Sequence, residues 1–157
     1  MPNGDLVSEK YKKMQDMHGL PHLERLTETF KLELDEEEEI LEQIREEVSD
    51  KLFSFSEKII EPILTGMESY SNLFEQDMIS EKKRGEMFQL YRKLQALKWE
   101  NNLLLMKNDD KKSAEWIKKT WDFWNNELEK SLIEVCEKLS KGWDELKFEK
   151  TKRNYYG

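Results

Sequence analysis

The chain has 157 residues, a net charge of −8, and nearly equal shares of charged (38%) and hydrophobic (37%) residues. This length suits a single domain, and the negative charge disfavours a general binder of polyanions. The N-terminal stretch lacks the apolar core of a signal peptide, no run approaches the ~18 apolar residues of a membrane span, and a single cysteine excludes an internal disulfide. We therefore expect one cytoplasmic domain without a membrane segment.

Residues 1–20 are predicted to form an N-terminal arm with an amphipathic turn or two, where Val7, Tyr11 and Met14 share a face. The stretch 18–21, His-Gly-Leu-Pro, breaks this segment, and its proline suits the first turn of a short helix. The apolar residues of that short helix are Leu23, Leu26 and Phe30.

The first long helix is expected to have Asp35 as its N-cap, with the acidic residues 36–39 in its first turn, near the positive end of the helix dipole. Pro62 should kink this helix near its end, and Gly66 should close it. Its apolar stripe, at spacings of three and four, consists of Leu41, Ile44, Val48, Leu52, Phe55, Ile59 and Ile63.

Residues 67–80 form a connection with room for a short helix around Leu73 and Phe74. Ser80 can cap the second long helix, which runs to about Lys107. Asn101 falls within its apolar stripe, so its amide is either satisfied by a partner or fixes the register of packing. The stripe consists of Met87, Leu90, Leu94, Leu97, Asn101 and Leu104.

After a polar break at 108–112, the third long helix is expected from about Ser113 to Phe148. Its stripe consists of Ile117, Trp121, Trp124, Leu128, Leu132, Val135, Leu139, Trp143 and Leu146. The sequence therefore predicts an all-α fold, a bundle of three long antiparallel helices with one or two short N-terminal or connecting helices. We assign residues 21–148 to this bundle, 1–20 to the arm and 149–157 to a basic C-terminal tail.

No residues form a recognisable catalytic or metal-binding pattern. His18 and His22 are separated by Gly19 and Pro21, and no Glu-x-x-His pair, Gly-rich phosphate loop or nucleophile elbow occurs. Cys136 lies beside a buried stripe without a nearby histidine, which favours a small buried thiol. We predict no catalytic residue, metal or cofactor; an enzyme using carboxylates of the acidic helix stays as a third hypothesis.

Three aromatic residues do not follow the apolar stripes. Trp121, Trp124 and Trp143 lie on the last stripe, and burial explains them, whereas Trp116 and Phe123 share a face about 100° away. Trp99 likewise leaves the stripe of its helix, on the side that carries Phe88 and Met106. These three residues, Trp116, Phe123 and Trp99, are candidates for binding a partner. The short helix bearing Leu23, Leu26 and Phe30, folded back across the bundle, is preferred over a partner as the cover of these off-stripe rings, since monomers rarely leave large apolar patches open.

The C-terminal tail reverses the sign of the charge and carries two stackable rings. Basic groups beside aromatic rings suit contact with a phosphate backbone and its bases, although cations are also common at the ends of ordinary helices. The candidate nucleic-acid-binding residues are Lys147, Lys150, Lys152, Arg153, Tyr155 and Tyr156.

The leading functional hypothesis is a non-enzymatic helical module, an adaptor, assembly or structural factor that binds another protein or a second copy of itself. It depends on the helical periodicity, the missing catalytic groups and the surplus of large aromatic residues. The alternative is a ribosome- or RNA-associated factor of the same fold that uses the basic tail.

Overall fold

A computed structural model describes residues 2–65 and 69–147, without the side chains of residues 2–5. The predictions for Gly66, for Phe148 and for the tail from 149 onward therefore lie outside the described residues. Every regular element within these ranges is a helix, which confirms the all-α prediction. The helices are α1 (Pro2–His18), α2 (Leu23–Phe30), α3 (Ile40–Phe55), α4 (Glu61–Thr65), α5 (Tyr70–Met78), α6 (Glu81–Met106), α7 (Asp110–Phe123) and α8 (Glu129–Glu145).

Two π-helical turns link consecutive helices without a loop. Ser56–Ile60 joins α3 to α4, and Trp124–Leu128 joins α7 to α8. The first turn lies directly before Pro62, where a kink was predicted. A proline ring would clash with the carbonyl four residues earlier in a regular α-helix, and a widened turn is one way to relieve that clash.

The predicted N-terminal arm packs on the rest of the molecule as a complete helix. Val7 and Tyr11 are buried, and α1 contacts both α3 and α7. The Tyr11 hydroxyl donates to the carbonyl of Pro21, and the Lys118 ammonium donates to the carbonyl of His18 at 2.8 Å. Gly19 then ends the segment in the left-handed region, at φ 66°, where a glycine carries no steric penalty.

The predicted start of the first long helix is wrong, because α3 begins at Ile40 and has Glu39 as its N-cap. Asp35 instead closes a local turn in which its carboxylate accepts the backbone N–H of Glu37 at 3.0 Å. The Gln43 side chain accepts from the Asp35 amide and donates to the Asp35 carbonyl, at 2.6 and 2.7 Å. These bonds satisfy the amide and carbonyl of Asp35 and the amide of Glu37 outside a helix, which favours a turn over a helix start at Asp35.

Helix α6 is capped by a serine side chain and helix α7 by an aspartate side chain. Ser80 caps α6 as predicted, accepting the backbone N–H of Lys83 at 3.1 Å. Asp109 caps α7 by accepting the N–H groups of Lys111 and Lys112 at 2.9 and 3.3 Å. This cap explains why α7 begins at Asp110, three residues before the predicted start.

Helix α6 contacts both α3 and α7, and these two helices also contact each other. It runs antiparallel to α3, since Asn101 bonds to Ser49 near one end while Tyr91 bonds to Glu61 further along. It also runs antiparallel to the α7–α8 stretch, since Lys119 pairs with Glu100 and Lys83 pairs with Glu134. Most residues of the three predicted stripes lie in one core, which α1 and α2 cover on the side of α3 and α7. The predicted burial of Phe55 is wrong, since its side chain is 37% exposed.

Trp143 does not belong to that core, so its predicted burial is wrong. Its side chain is 38% exposed, packs on Phe74 with ring centroids 5.5 Å apart, and donates its indole N–H to Glu75 at 2.8 Å. The α7–α8 stretch runs past the start of α6, and beyond Leu139 its cover comes from α5. The predicted burial of Leu146 fails for the same reason, since it is also exposed.

Candidate protein-interaction face

Helix α6 carries apolar side chains on two opposite sides. At 100° per residue, Phe88, Trp99, Leu103 and Met106 point away from the side that α6 buries against α3 and α7. Their exposed fractions are 48%, 65%, 61% and 76%. We call this side, with Arg92 and Gln95 between the apolar residues, the outer face of α6. A surface helix normally buries one apolar stripe, so the second stripe requires another cover.

One charged residue lies within the outer face. The guanidinium of Arg92 donates to Gln89 at 3.1 Å, on its own helix. The neighbouring charges Lys93 and Glu100 are paired inside the chain, with Glu127 at 2.5 Å and with Lys119 at 2.6 Å. The outer face is thus an apolar strip with a single cation, and the flanking charges on the side of α7 are already neutralised.

A groove between α6 and α7 borders this face. Its volume is about 610 Å³, with Ala96, Leu97 and Phe123 as its apolar lining. The two ion pairs to Glu127 and Lys119 form its rims. Phe123 is buried at this position, and the Lys93 ammonium lies 5.8 Å from the centre of its ring. Surface ion pairs of this kind contribute little to stability.

Trp116 lies beneath this groove and is fully buried by the chain itself. Its indole N–H donates to the carbonyl of Leu97 at 3.0 Å, which ties α7 to α6. The burial of Trp116 therefore needs no partner. Of the three aromatic candidates, Trp99 is the one with a largely exposed side chain; Phe123 has a limited accessible edge in the groove.

The short helix α2 covers different rings from those expected. Phe30 packs edge-on against Trp121 and Trp124, with ring centroids 6.0 and 5.6 Å apart. The Arg25 guanidinium lies 5.4 Å from the Trp121 ring. Helix α2 thus closes the far side of α7, and the cover of Trp116 comes from the α6 side.

A buried polar cluster at the centre of the molecule was missed in the sequence. Arg45 is fully buried, and its guanidinium donates to the side-chain oxygen of Asn101 and, at 3.1 Å, to the backbone carbonyl of Asn101. The side-chain amide of Asn101 in turn donates to the hydroxyl of Ser49 at 3.1 Å. Burial lowers the pKa of Arg45, while Glu42 and Glu46 oppose that change. Arg45 lies four residues after Leu41 and three before Val48, and this spacing was the sequence signal that could have placed Arg45 in the core. The cluster is a packing device for α3 against α6.

The remaining candidates do not assemble into a site. Among the described residues, no group of three or more His, Cys, Asp or Glu side chains could hold a metal ion. Cys136 is exposed, so the expected buried thiol is wrong. Burial raises the pKa of Glu47 on the acidic helix, but its carboxylate accepts the backbone N–H of Glu33 at 3.0 and 3.2 Å and thereby anchors the loop before α3.

Of the six tail candidates, Lys147 lies within the described residues, exposed beyond the end of α8. The others, Lys150, Lys152, Arg153, Tyr155 and Tyr156, fall outside them. In the described parts of the chain, no helix is both long enough and apolar enough to cross a membrane. No protein-family model, curated protein or solved structure matches this chain.

Proposed function

We propose that this protein is a non-enzymatic helical interaction module, an adaptor, assembly or structural factor, that binds another protein through the outer face of α6. Its platform is a bundle of three long antiparallel helical stretches, α3–α4, α6 and α7–α8, to which α1, α2 and α5 are added. A cytoplasmic location is part of this proposal. The observation that supports it is the exposed apolar strip of Phe88, Trp99, Leu103 and Met106.

The size of this strip supports a docking role. From their exposed fractions, these four side chains present on the order of 500 Å² of mostly apolar surface, the size of the largest apolar patch on a typical monomer, which is often functional. A helix that needed only the bundle would carry polar residues at these positions at no cost to its core. Trp99 lies in the middle of the strip, where residues that dominate binding energy are usually found, and tryptophan is enriched among them.

The test is capture of partners by the full chain from extracts of its own source, compared between three forms. Trp99→Lys places a charge on the outer face, and Ile133→Lys places the same charge on α8, where the isoleucine is also 49% exposed. We expect Trp99→Lys to lose the captured protein and Ile133→Lys to retain it. Identical capture by all three forms, quantified by mass spectrometry, would remove the outer face from the proposal.

The alternative function, RNA or ribosome association through the basic tail, is supported by four cations and two tyrosines within residues 147–157. It has a separate test, because deletion of 149–157 leaves α6 intact. If the tail binds RNA, that deletion abolishes co-sedimentation with ribosomes or RNA at low salt, and the wild-type association weakens steeply as salt is raised. Unchanged co-sedimentation after the deletion would exclude it.

A further inference from the structure

We infer that the partner of the outer face is a second copy of this chain, bound by antiparallel pairing of α6 with α6 of the partner. This inference depends on the proposed function, that the outer face docks a protein, and names the protein. It follows from the register of the face, from its one charge and from the area that two such faces would bury.

The register of the outer face is self-complementary. Phe88, Arg92, Gln95, Trp99, Asn102 and Met106 alternate at spacings of four and three, so they form one straight seam. A two-fold axis at position 97 brings together residues that lie equally far from it in the two copies. Phe88 then faces the partner's Met106, nine positions from the axis, and Gln95 faces the partner's Trp99, two positions from it. The apolar residues at the two ends of the seam, Phe88 and Met106, therefore contact each other, and the indole of each Trp99 packs on the amide side chain of Gln95.

The single cation of the seam selects this orientation. In a parallel pair each Arg92 would lie against the partner's Arg92, a contact between like charges without a carboxylate between them. In the antiparallel pair Arg92 faces the partner's Asn102, five positions from the axis, and its guanidinium can donate to the carboxamide oxygen. The two Arg92 residues are then ten residues apart along the helices, about 15 Å, which exceeds the screening length in physiological salt.

Other occupants fit the face less well. An acidic peptide or a nucleic acid would need several free cations, whereas the seam has Arg92 alone, and the neighbouring Lys93 is paired with Glu127. A second copy gives that one cation a hydrogen-bond acceptor and covers Phe88, Trp99 and Met106 in the seam, with Leu103 at its edge. Two faces would together bury on the order of 1,000 Å², near the lower limit for specific association, so the dimer should be weak and reversible.

The experiment measures both the mass of the full chain in solution and the register of the pair. Sedimentation equilibrium from about 1 μM to about 1 mM should show a monomer–dimer equilibrium. Trp99→Lys should weaken the dimer by about 30-fold or more, as expected for a central residue, and Ile133→Lys should leave it unchanged. Circular dichroism and urea unfolding confirm that both variants remain folded.

The register is read from single cysteines in a Cys136→Ser background, since Cys136 is exposed. Oxidation of a mixture of Arg92→Cys and Asn102→Cys chains should give the mixed disulfide, while Arg92→Cys alone should not cross-link. A disulfide between two Arg92→Cys chains, or a dimer that is insensitive to Trp99→Lys, overturns the inference. If the chain stays monomeric throughout while Trp99→Lys still abolishes capture of another protein, the second copy is excluded and the proposed function stands.

Discussion

At the scale of single residues, Arg45 is the least expected feature of this protein. Its guanidinium is fully buried and bonds to Asn101 through one nitrogen, while Nε and Nη2 have no partner among the described protein atoms. Burying a charge is costly unless hydrogen bonds surround it, so the stability of this cluster depends on Asn101. The cluster fixes how α3 lies against α6 more than it stabilises the fold.

We therefore expect Asn101→Leu to lower the free energy of unfolding by about 3 kcal/mol, because the buried guanidinium loses its side-chain acceptor. The double variant Arg45→Met/Asn101→Leu should recover most of that loss, since it removes the charge together with its acceptor. Urea unfolding followed by circular dichroism gives both values. If the double variant is as unstable as Asn101→Leu alone, the charge of Arg45 is not the cause.

The Tyr11 hydroxyl gives a prediction about alkaline pH. Burial raises the pKa of Tyr11 far above its ordinary value of about 10. As the pH rises, the unfolded chain therefore releases this proton before the folded chain does. The contribution of Tyr11 to stability is fully present below pH 10 and is lost as the pH rises above it. We expect Tyr11→Phe to lower the free energy of unfolding by about 1 kcal/mol at pH 7, because the bond to Pro21 is lost. Between pH 9 and about pH 11, the free energy of unfolding of this variant should fall less than that of the wild type. If the free energies of unfolding of the two proteins, measured in urea, fall equally between pH 9 and about pH 11, this assignment is wrong.

The burial of single residues could be predicted from the sequence only through the periodicity of the apolar residues. The apolar stripe placed Asn101 in a packed seam correctly, but it also placed Trp143 and Leu146 in the core. Periodicity gives the direction in which a side chain points, whereas burial also requires a neighbour on that side. Arg45 was missed because a charged residue is rarely assigned to a core. Trp99 was correctly separated from its stripe, and its side chain is 65% exposed because no helix among the described residues lies over it.

At the scale of the helices, two glycines show how closely elements approach. Gly85 lies in the first half of α6, and a Cβ there would meet no atom within 4 Å. Gly142 lies in α8, and a Cβ there would come within 2.5 Å of the Met78 sulfur of α5. Both positions are helical, so both would gain backbone rigidity from alanine, but the second must displace a packed side chain.

Gly85→Ala should accordingly raise the free energy of unfolding by about 1 kcal/mol. Gly142→Ala is its matched comparison, and we expect a smaller gain because Met78 has to move to admit the new methyl group. Thermal and urea unfolding of the two variants measure the difference. An equal gain in both would show that α5 does not pack closely on α8.

The existence of the long helices was predictable, whereas α1 was expected only as an arm with a turn or two. The ends of helices were predictable only where a cap forms within the helix itself. Ser80 was identified as a cap because its hydroxyl reaches an amide of its own helix, a local interaction. Asp35 was misassigned because Gln43, eight residues away, holds its backbone in a turn. The π-helical turn at Ser56–Ile60 was not predicted either: it shifts the buried positions by one residue, so that Ser56 and Ile60 are buried where the stripe predicted Phe55 and Ile59.

At the scale of the whole molecule, the arrangement leaves α6 in an unusual position. It packs against α3 and α7, which also contact each other, yet no described helix covers its outer face, while α1 and α2 cover α3 and α7 on the other side. The sequence shows that α6 is apolar on two sides, but it cannot show which side the chain itself covers. That choice depends on where the short helices dock, through contacts far apart in sequence such as Lys118 to His18.

The docking of α1 decides whether residues 1–20 are an arm or part of one cooperative unit. Because Val7 and Tyr11 are buried against α3 and α7, we expect amide hydrogens of residues 8–18 to be protected from exchange nearly as well as those of α3. Tyr11→Ala should cost about 3–5 kcal/mol and remove protection first from α1, whereas Met17→Ala, at a 72% exposed position of the same helix, should change little. Hydrogen exchange with mass spectrometry separates these segments. Rapid exchange throughout residues 8–18 in the wild type would mean that α1 is an independent arm, and its surface would then be available to a partner alongside the outer face of α6.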